Sequence, residues 1–399
     1  MIMMTLSLCA IAKNEAATLP SCLSSVKGVV DEIILLDTGS VDGTTQVAQE
    51  YGAKVYPYEW CDDFSAARNE ALNYVTGDWV LVLDADETLN REIIPALRQV
   101  MEMEEYLLVN LLRQEVGAKQ SPYSLVSRLF RNREDIRFSR PYHALVDDSI
   151  AEILGKENNW EIGQLPGVAI FHSGYQASSI AQKSKSTRAQ ASMEKFLAAN
   201  PDDAYVCSKL GGLYIEIGKV AEGISLLERG LQNPDIDDQI KYELYYHLGI
   251  GYTRAKYLKK AVANYQEAIK LLIDPMLKLG AYNNLGNLLK TIGNFQAAKV
   301  AYETAIKLDP NFAIGYFNLG ATFKEMGLLP KAIIAYRKVI ELDSNYGEAY
   351  QNLGLVLMRA GYIQDSKKAF GKAIAIYQQQ NPKQARELQR SLEEIGFRV

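Results

Sequence analysis

Histidine and cysteine are scarce in this chain, with three and four among 399 residues. The cysteines, Cys9, Cys22, Cys61 and Cys207, show neither metal-binding nor disulfide spacing, which excludes a disulfide scaffold and a zinc cage and suits a reducing cytoplasm. Excess positive charge is also missing. The formal net charge is −5 and no basic stripe runs through the sequence, so nucleic acid is not an expected partner. No apolar run is long enough to cross a bilayer. The apolar opening, MIMMTLSLCAIA, is too short for a span, lacks a cleavage signature and reads as a first strand.

What is present is a short apolar run, Trp79 to Leu83, that stops at two carboxylates in WVLVLDADE. The strand period of 2 sends Asp84 and Asp86 to the same side and Ala85 away. Paired carboxylates at the carboxyl end of a buried strand offer hard oxygen ligands for Mg²⁺ or Mn²⁺, usually shared with substrate phosphates. Upstream, Leu6–Ala12, Glu32–Thr38 and Lys54–Tyr58 are β-prone runs. Helical segments separate them near Thr18–Val26, Asp42–Tyr51 and Phe64–Tyr74, with Asp42 an expected N-cap and Gly52 an expected C-cap. This alternation predicts a parallel α/β unit, whose ligands bind beyond the carboxyl ends of the strands. Asn14, Glu15, Asp37, Asp84 and Asp86 all fall at that rim.

Four segments in order, IAKNEAATLPSCLSSV, DEIILLDTGSVDGTTQVAQEYGAKVY, WCDDFSAARNEAL and GDWVLVLDADE, resemble the nucleotide-sugar domain of the family 2 glycosyltransferases with the GT-A (Rossmann-like α/β) fold. The similarity is to the branch that holds lipooligosaccharide β-glucosyltransferases and peptide S-glycosyltransferases, and it covers roughly the first half of the chain. It implies an inverting transfer from a nucleoside-diphosphate sugar, a UDP-sugar being the expected donor, with Mn²⁺ or Mg²⁺ on the diphosphate. It also implies that Asn14 and Glu15 lie near the nucleoside, Asp37 on the base, Arg68 and Asn69 beside the nucleotide, and Asp84 and Asp86 around ribose, diphosphate and metal. His172, in GVAIFHSGY, matches a late histidine that serves as third metal ligand or diphosphate contact. Lys183, Lys185 and Arg188 match cationic positions near the donor diphosphate. The residues alone leave plainer readings open: Asp37 as a turn former, Arg68 and the later cations as solvated charges, His172 as a satisfied core residue.

His143 lies in RPYHALVDDSI, where related sequences read His-Glu and this one reads His143-Ala144. An inverting displacement needs a general base at the acceptor nucleophile, commonly a carboxylate. Asp148 and Asp147 are the nearest candidates, with His143 next.

The second half repeats. Gly286, Gly320 and Gly354 recur every 34 residues, the tetratricopeptide (TPR) period, and looser repeats precede them around Gly211 and Gly249. Five helical hairpins and a terminal helix near Lys383–Ile395 would stack into a solenoid with a concave binding face. The expected organisation is a transferase domain over 1–176, a connecting helix and linker over 177–202, an all-α TPR solenoid over 203–380 and a capping helix over 381–399. Asn284, Asn318 and Asn352 occupy one repeat position, so their carboxamides could form a ladder that grips a peptide backbone, as in the solenoid of O-linked N-acetylglucosamine transferases; ordinary repeat usage is the alternative. The overall expectation is a cytoplasmic glycosyltransferase acting on a polypeptide brought by the solenoid. A lipid-linked or polysaccharide acceptor, or a TPR scaffold with a degenerate transferase domain, stands as the alternative.

Overall fold

A computed structural model describes residues 4–118, 120–173, 179–234 and 236–397, without the side chains of 179–186. The chain divides into two compact units, one of Met1–Ala118 with Pro122–Leu213 and one of Lys119–Ser121 with Tyr214–Val399.

The first unit is built on β1 (Leu6–Ala12), β2 (Glu32–Asp37), β3 (Lys54–Pro57), β4 (Trp79–Val82), β5 (Glu87–Leu89), β6 (Tyr106–Glu115), β7 (Tyr123–Arg131) and β8 (Glu161–His172). These form one eight-stranded sheet in the order β3-β2-β1-β4-β7-β6-β8-β5. The first four strands are mutually parallel, as the alternation with helices predicts, and β7 enters antiparallel to both β4 and β6. Helices α1 (Leu19–Val26), α2 (Thr44–Glu50), α3 (Phe64–Leu72), α4 (Ile94–Met101), α5 (Asp147–Lys156) and α6 (Ser179–Ala199) complete the unit.

The sheet is buried on both faces, and strand periodicity sorts the side chains. Leu6, Leu8, Ala10 and Ala12 of β1 join Trp79 and Leu81 of β4 in one core with α1 and α4. Cys9 of β1 joins Val80, Val82, Ile34 and Leu36 in the other, with Ala67 and Ala71 of α3 and Ile150 and Ile153 of α5. Each fully buried aliphatic side chain contributes on the order of 1.5–3 kcal/mol. Trp79, wholly buried, satisfies its indole N–H on the carbonyl of Met101 at 3.1 Å.

Two local expectations need correction. Asp42 is not the N-cap of α2; Gly43 is, at φ 92°. The Asp42 carboxylate binds the Thr44 amide and hydroxyl and the Ala16 amide, so it tethers the neighbouring loop from one residue earlier. The strand before the paired carboxylates ends at Val82, so the period of 2 does not reach Asp84 and Asp86, which lie in the turn into β5.

Helices α7 (Ala204–Glu216) and α8 (Val220–Gly230) follow in the chain, and the next eight pair as hairpins: α9 (Asp238–Arg254) with α10 (Leu258–Lys270), α11 (Leu279–Thr291) with α12 (Phe295–Leu308), α13 (Ala313–Glu325) with α14 (Leu329–Leu342), and α15 (Gly347–Arg359) with α16 (Ile363–Gln380). Helix α17 (Pro382–Glu394) follows, burying Ala385, Leu388 and Leu392 against Phe370 and Tyr377. The recurrent glycine is a packing residue. A Cβ on Gly286 would stand 2.6 Å from the Tyr302 ring, and Gly249, Gly320 and Gly354 meet Tyr265, Tyr336 and Phe370 in the same way. Only a side chain of zero length lets the two helices of a hairpin close over that ring. No helix among the described residues is long and apolar enough to cross a membrane.

Candidate active site

The carboxyl ends of β1 and β2 carry the first polar cluster. Asn14 adopts φ 57°; its amide donates to the Ser40 hydroxyl at 2.9 Å and its Oδ1 accepts from the Val41 amide at 2.8 Å. Glu15 anchors through its amide to Thr44 Oγ1 and through its carboxylate to Thr18 Oγ1. Asp37, largely buried, accepts from the amides of Gly39 and Ser40 and so shapes the turn after β2. Asn69 on α3 clamps the backbone of Phe138, donating to its carbonyl at 2.9 Å and accepting from its amide at 2.7 Å.

Next to this rim an alternating line of charges runs across the sheet. Arg68 on α3 donates to Asp84 Oδ1 at 2.7 Å, and Arg128 on β7 reaches Asp84 Oδ2 at 2.8 Å. Arg128 also binds Glu87, which is completely buried and takes a second guanidinium from Arg113 of β6 at 2.9 Å. Arg113 continues to Glu115 at 2.8 Å, and Glu115 meets His172 Nδ1 at 2.5 Å. His172 Nε2 lies 3.2 Å from Asp86 Oδ2. The turn itself is closed by the Asp84 amide on Glu87 Oε2 and the Glu87 amide on the Asp84 carbonyl.

Burial raises the proton affinity of the Asp84 carboxyl, but the two guanidiniums outweigh it and hold the group ionised far below the usual range. The same pairing pushes Arg128 above its ordinary value against its own desolvation. Hydrogen bonds that the protonated ring donates to the Asp86 and Glu115 carboxylates raise the His172 imidazole to about 10. Asp84 and Asp86 therefore have separate partners: the first is bound to arginines, the second to histidine.

Among the described residues no three His, Cys, Asp or Glu side chains form a self-sufficient metal cage. A divalent ion on a diphosphate needs less, since Mg²⁺ commonly takes one or two protein ligands and completes its shell with phosphate oxygens and water. Asp86 and His172 fit that requirement. The Nδ1 of His172 already faces a carboxylate, the arrangement found behind metal-ligating histidines, which leaves Nε2 on the Asp86 side.

Asp147 and Asp148 open α5. Asp147 accepts from the Ser127 hydroxyl at 2.9 Å; Asp148 accepts from Ser139 at 2.5 Å and from Arg140 at 2.7 Å while half of its side chain remains exposed. His143, at φ 53°, is exposed and packs edge-on against Tyr142. The charge of Arg188 on α6 is felt at Tyr142, where it opposes the rise caused by burial. Lys183 and Lys185 belong to α6, but their side chains lie outside the described residues.

The repeat asparagines differ among themselves. Asn284 is half-buried and donates to the Tyr246 hydroxyl at 3.3 Å. Asn318 is buried and donates to Asn283 Oδ1 at 2.9 Å, a bond between successive repeats. Asn352 donates to the carbonyl of Glu348 and accepts from the Lys324 ammonium at 3.4 Å.

No sequence motif singles out Glu87, Arg113, Glu115 or Arg128, yet they form the centre of this network. A signal was available: charged residues inside the strands YLLVNLLRQE and YSLVSRLFR must find partners if the sheet is covered on both faces.

A sheet in this order, with carboxylates and cations gathered where the parallel strands end, defines a nucleotide-sugar transferase of the GT-A type. Comparison with known proteins narrows the class. Residues 7–162 match the model of Glycosyl transferase family 2, and residues 280–312, 301–334 and 347–380 match tetratricopeptide repeat models. The chain carries a glycosyltransferase family 2 domain joined to C-terminal TPR repeats. A TPR repeat-containing protein of Synechococcus elongatus is 44% identical over 397 residues, covering 100% of this chain and 98% of that protein. The SPbeta prophage-derived glycosyltransferase SunS of Bacillus subtilis is 26% identical over 227 residues, which is 56% of this chain and 52% of SunS. This chain thus spans about half the length of SunS. Among solved structures, the TPR protein YrrB covers 51% of this chain and all of its own, at 19% identity and a TM-score of 0.42.

Proposed function

We propose that this enzyme transfers a sugar, with inversion, from a UDP-sugar to a polypeptide held by its TPR solenoid, and that Mn²⁺ or Mg²⁺ assists on the diphosphate. The observation that carries the reading is the union in one chain of a family 2 transferase domain and TPR repeats, with a 44% identical relative aligned along both parts. TPR arrays present extended concave surfaces suited to peptide segments. The four cysteines, three of them buried, form no disulfide among the described residues and suit a cytoplasmic site of action. The domains assigned are 1–176 for transfer, 177–202 as connection, 203–380 as solenoid and 381–399 as cap.

In this reading Asn14, Glu15 and Asp37 face the nucleoside, and Arg68, Asn69 and Asp84 frame the ribose and its diphosphate. Asp86 and His172, with Asp84 beside them, would hold the metal, which would supply positive charge against the departing diphosphate. Lys183, Lys185 and Arg188 add cations on the phosphate side. The acceptor nucleophile attacks the anomeric carbon from the face opposite the nucleotide and gives up its proton to a base. Asp148 is the first choice, being half-exposed beside Arg140; Asp147 and His143 are the others. Of the three ladder asparagines, Asn284 and Asn352 are assigned to the peptide-holding face, whereas Asn318, buried on Asn283, is a bond between repeats and not a peptide contact.

The test is nucleotide release from a panel of nucleotide sugars with Mn²⁺, followed by a search for sugar on protein or on lipid in added lysate. Release with label on protein supports the proposal. Label confined to lipid or polysaccharide removes the peptide acceptor, and no release from any donor by folded protein makes the chain a scaffold. Asp86→Ala should lower transfer on the order of 10²-fold or more with the fold intact; full activity in that variant or in excess chelator removes the metal.

A further inference from the structure

We infer that Glu115 is a positioning residue for the metal arm of the site: it holds the His172 ring so that Nε2, and not Nδ1, is turned toward Asp86. The inference rests on the proposal that Asp86 and His172 are the metal ligands.

The sheet supplies the geometry. Strands β6 and β8 run parallel with Glu115 opposite His172, and the Val116 amide fixes the end of the ladder on the His172 carbonyl at 2.8 Å. Ladder neighbours project to the same face, which brings the Glu115 carboxylate onto Nδ1 at 2.5 Å. Glu115 is itself held. Its other oxygen takes Arg113, and Arg113 is fastened to Glu87, which is completely buried. An imidazole has one soft torsion about its ring bond and two nitrogens that a metal can take. With Nδ1 on a carboxylate whose other oxygen Arg113 holds, Nε2 is the nitrogen on the Asp86 side, 3.2 Å from Oδ2. The Glu87–Arg113–Glu115 line thus transfers the rigidity of the sheet to a side chain that lies on its last strand residue.

The experiment is Mn²⁺ binding in the presence of UDP, followed by electron paramagnetic resonance, with the electron spin echo modulation of a coordinated imidazole nitrogen as a second readout. Glu115→Ala should weaken Mn²⁺ by 10- to 100-fold, on the order seen for outer-shell partners, and diminish the nitrogen modulation. Glu115→Gln, whose carbonyl still accepts from Nδ1–H, should restore most of both. Glu115→Asp keeps the charge but draws the carboxylate back by one methylene, and should resemble Glu115→Ala. Wild-type affinity and modulation in Glu115→Ala, or an Asp variant like wild type beside a Gln variant like Ala, would overturn the inference, the second because it marks a field effect and not positioning. His172→Ala and Asp86→Ala are the controls: if both bind Mn²⁺ as wild type does, the metal assignment itself is wrong and the inference falls with it. Thermal unfolding of each variant identifies loss of fold, and the Gln and Asp pair decides the matter where Ala does not fold.

Discussion

The Tyr302 hydroxyl donates to Asn287 Oδ1 at 2.7 Å, which satisfies a phenol buried between the two helices of its hairpin. One repeat on, Tyr336 occupies the same position, but Asn287 is replaced by Ala321 and the Tyr336 hydroxyl is buried with no partner among the described residues. One repeat further the pair is Phe370 and Leu355, with neither polar group. Tyr302→Phe should therefore cost about 0.5–1.5 kcal/mol, since it strands an amide oxygen and removes a hydrogen bond. Tyr336→Phe should be neutral or stabilising. Chemical denaturation of the two variants side by side checks this, and equal losses would show that the Tyr336 hydroxyl is satisfied in solution.

Lys256 provides a second contrast between repeats. It turns the chain between α9 and α10 at φ 63°, whereas Gly293, Gly327 and Gly361 make the corresponding turns in the later hairpins at φ 72–81°. A residue with a Cβ pays about 1–2 kcal/mol in this region of backbone space. Lys256→Gly should raise stability, by up to about 1 kcal/mol after the added freedom of the unfolded glycine is deducted. A lowered melting temperature would count against this account of the turn.

Arg128 spans Asp84 and Glu87, so its removal leaves two carboxylates each short of a cation, one of them completely buried. Arg128→Met should destabilise by about 1–3 kcal/mol, the cost of charge-assisted hydrogen bonds lost from two carboxylates that each keep one guanidinium, Glu87 on Arg113 and Asp84 on Arg68. Adding Glu87→Gln should recover part of that loss. Non-additivity in this double-mutant cycle is the expected signature of a shared network, and strict additivity would argue against one.

Acid sensitivity should be traceable to Glu32. Burial alone would raise its carboxyl, but the Ser7 hydroxyl at 2.6 Å, the Thr76 amide and hydroxyl and the Lys54 ammonium overcome that and bring it to about 2. Since the folded value lies below the unfolded one, the stabilisation is complete above the unfolded carboxylate range and is lost as pH falls from about 4.5 toward about 2. Glu32→Gln should be less stable than the parent at neutral pH and show a shallower fall in stability across that window. Parallel pH profiles would place the acid-labile carboxylate elsewhere.

Much of this molecule follows from short-range physics and was legible in the residues. Short apolar runs set β1 and β4, and Gly52, one residue past the Tyr51 C-cap, turns the chain out of α2 at φ 81°. The 34-residue glycine spacing announced a stack of hairpins because each glycine must accept the ring of its own partner helix. Each of these depends on atoms within one turn, one strand or one hairpin. What tertiary structure alone decided is which charge meets which. Arg113, Arg128, Glu87 and His172 lie on β6, β7, β5 and β8, and they become neighbours only because the sheet orders those strands as β7-β6-β8-β5. The same holds for Asn318, whose repeat position suggested a free surface carboxamide, while stacking against the preceding repeat buried it on Asn283. Periodicity along a chain fixes which face a side chain leaves from; the partner it finds there is set by strand order and helix stacking, where residues far apart in sequence share a low-dielectric space and must neutralise one another.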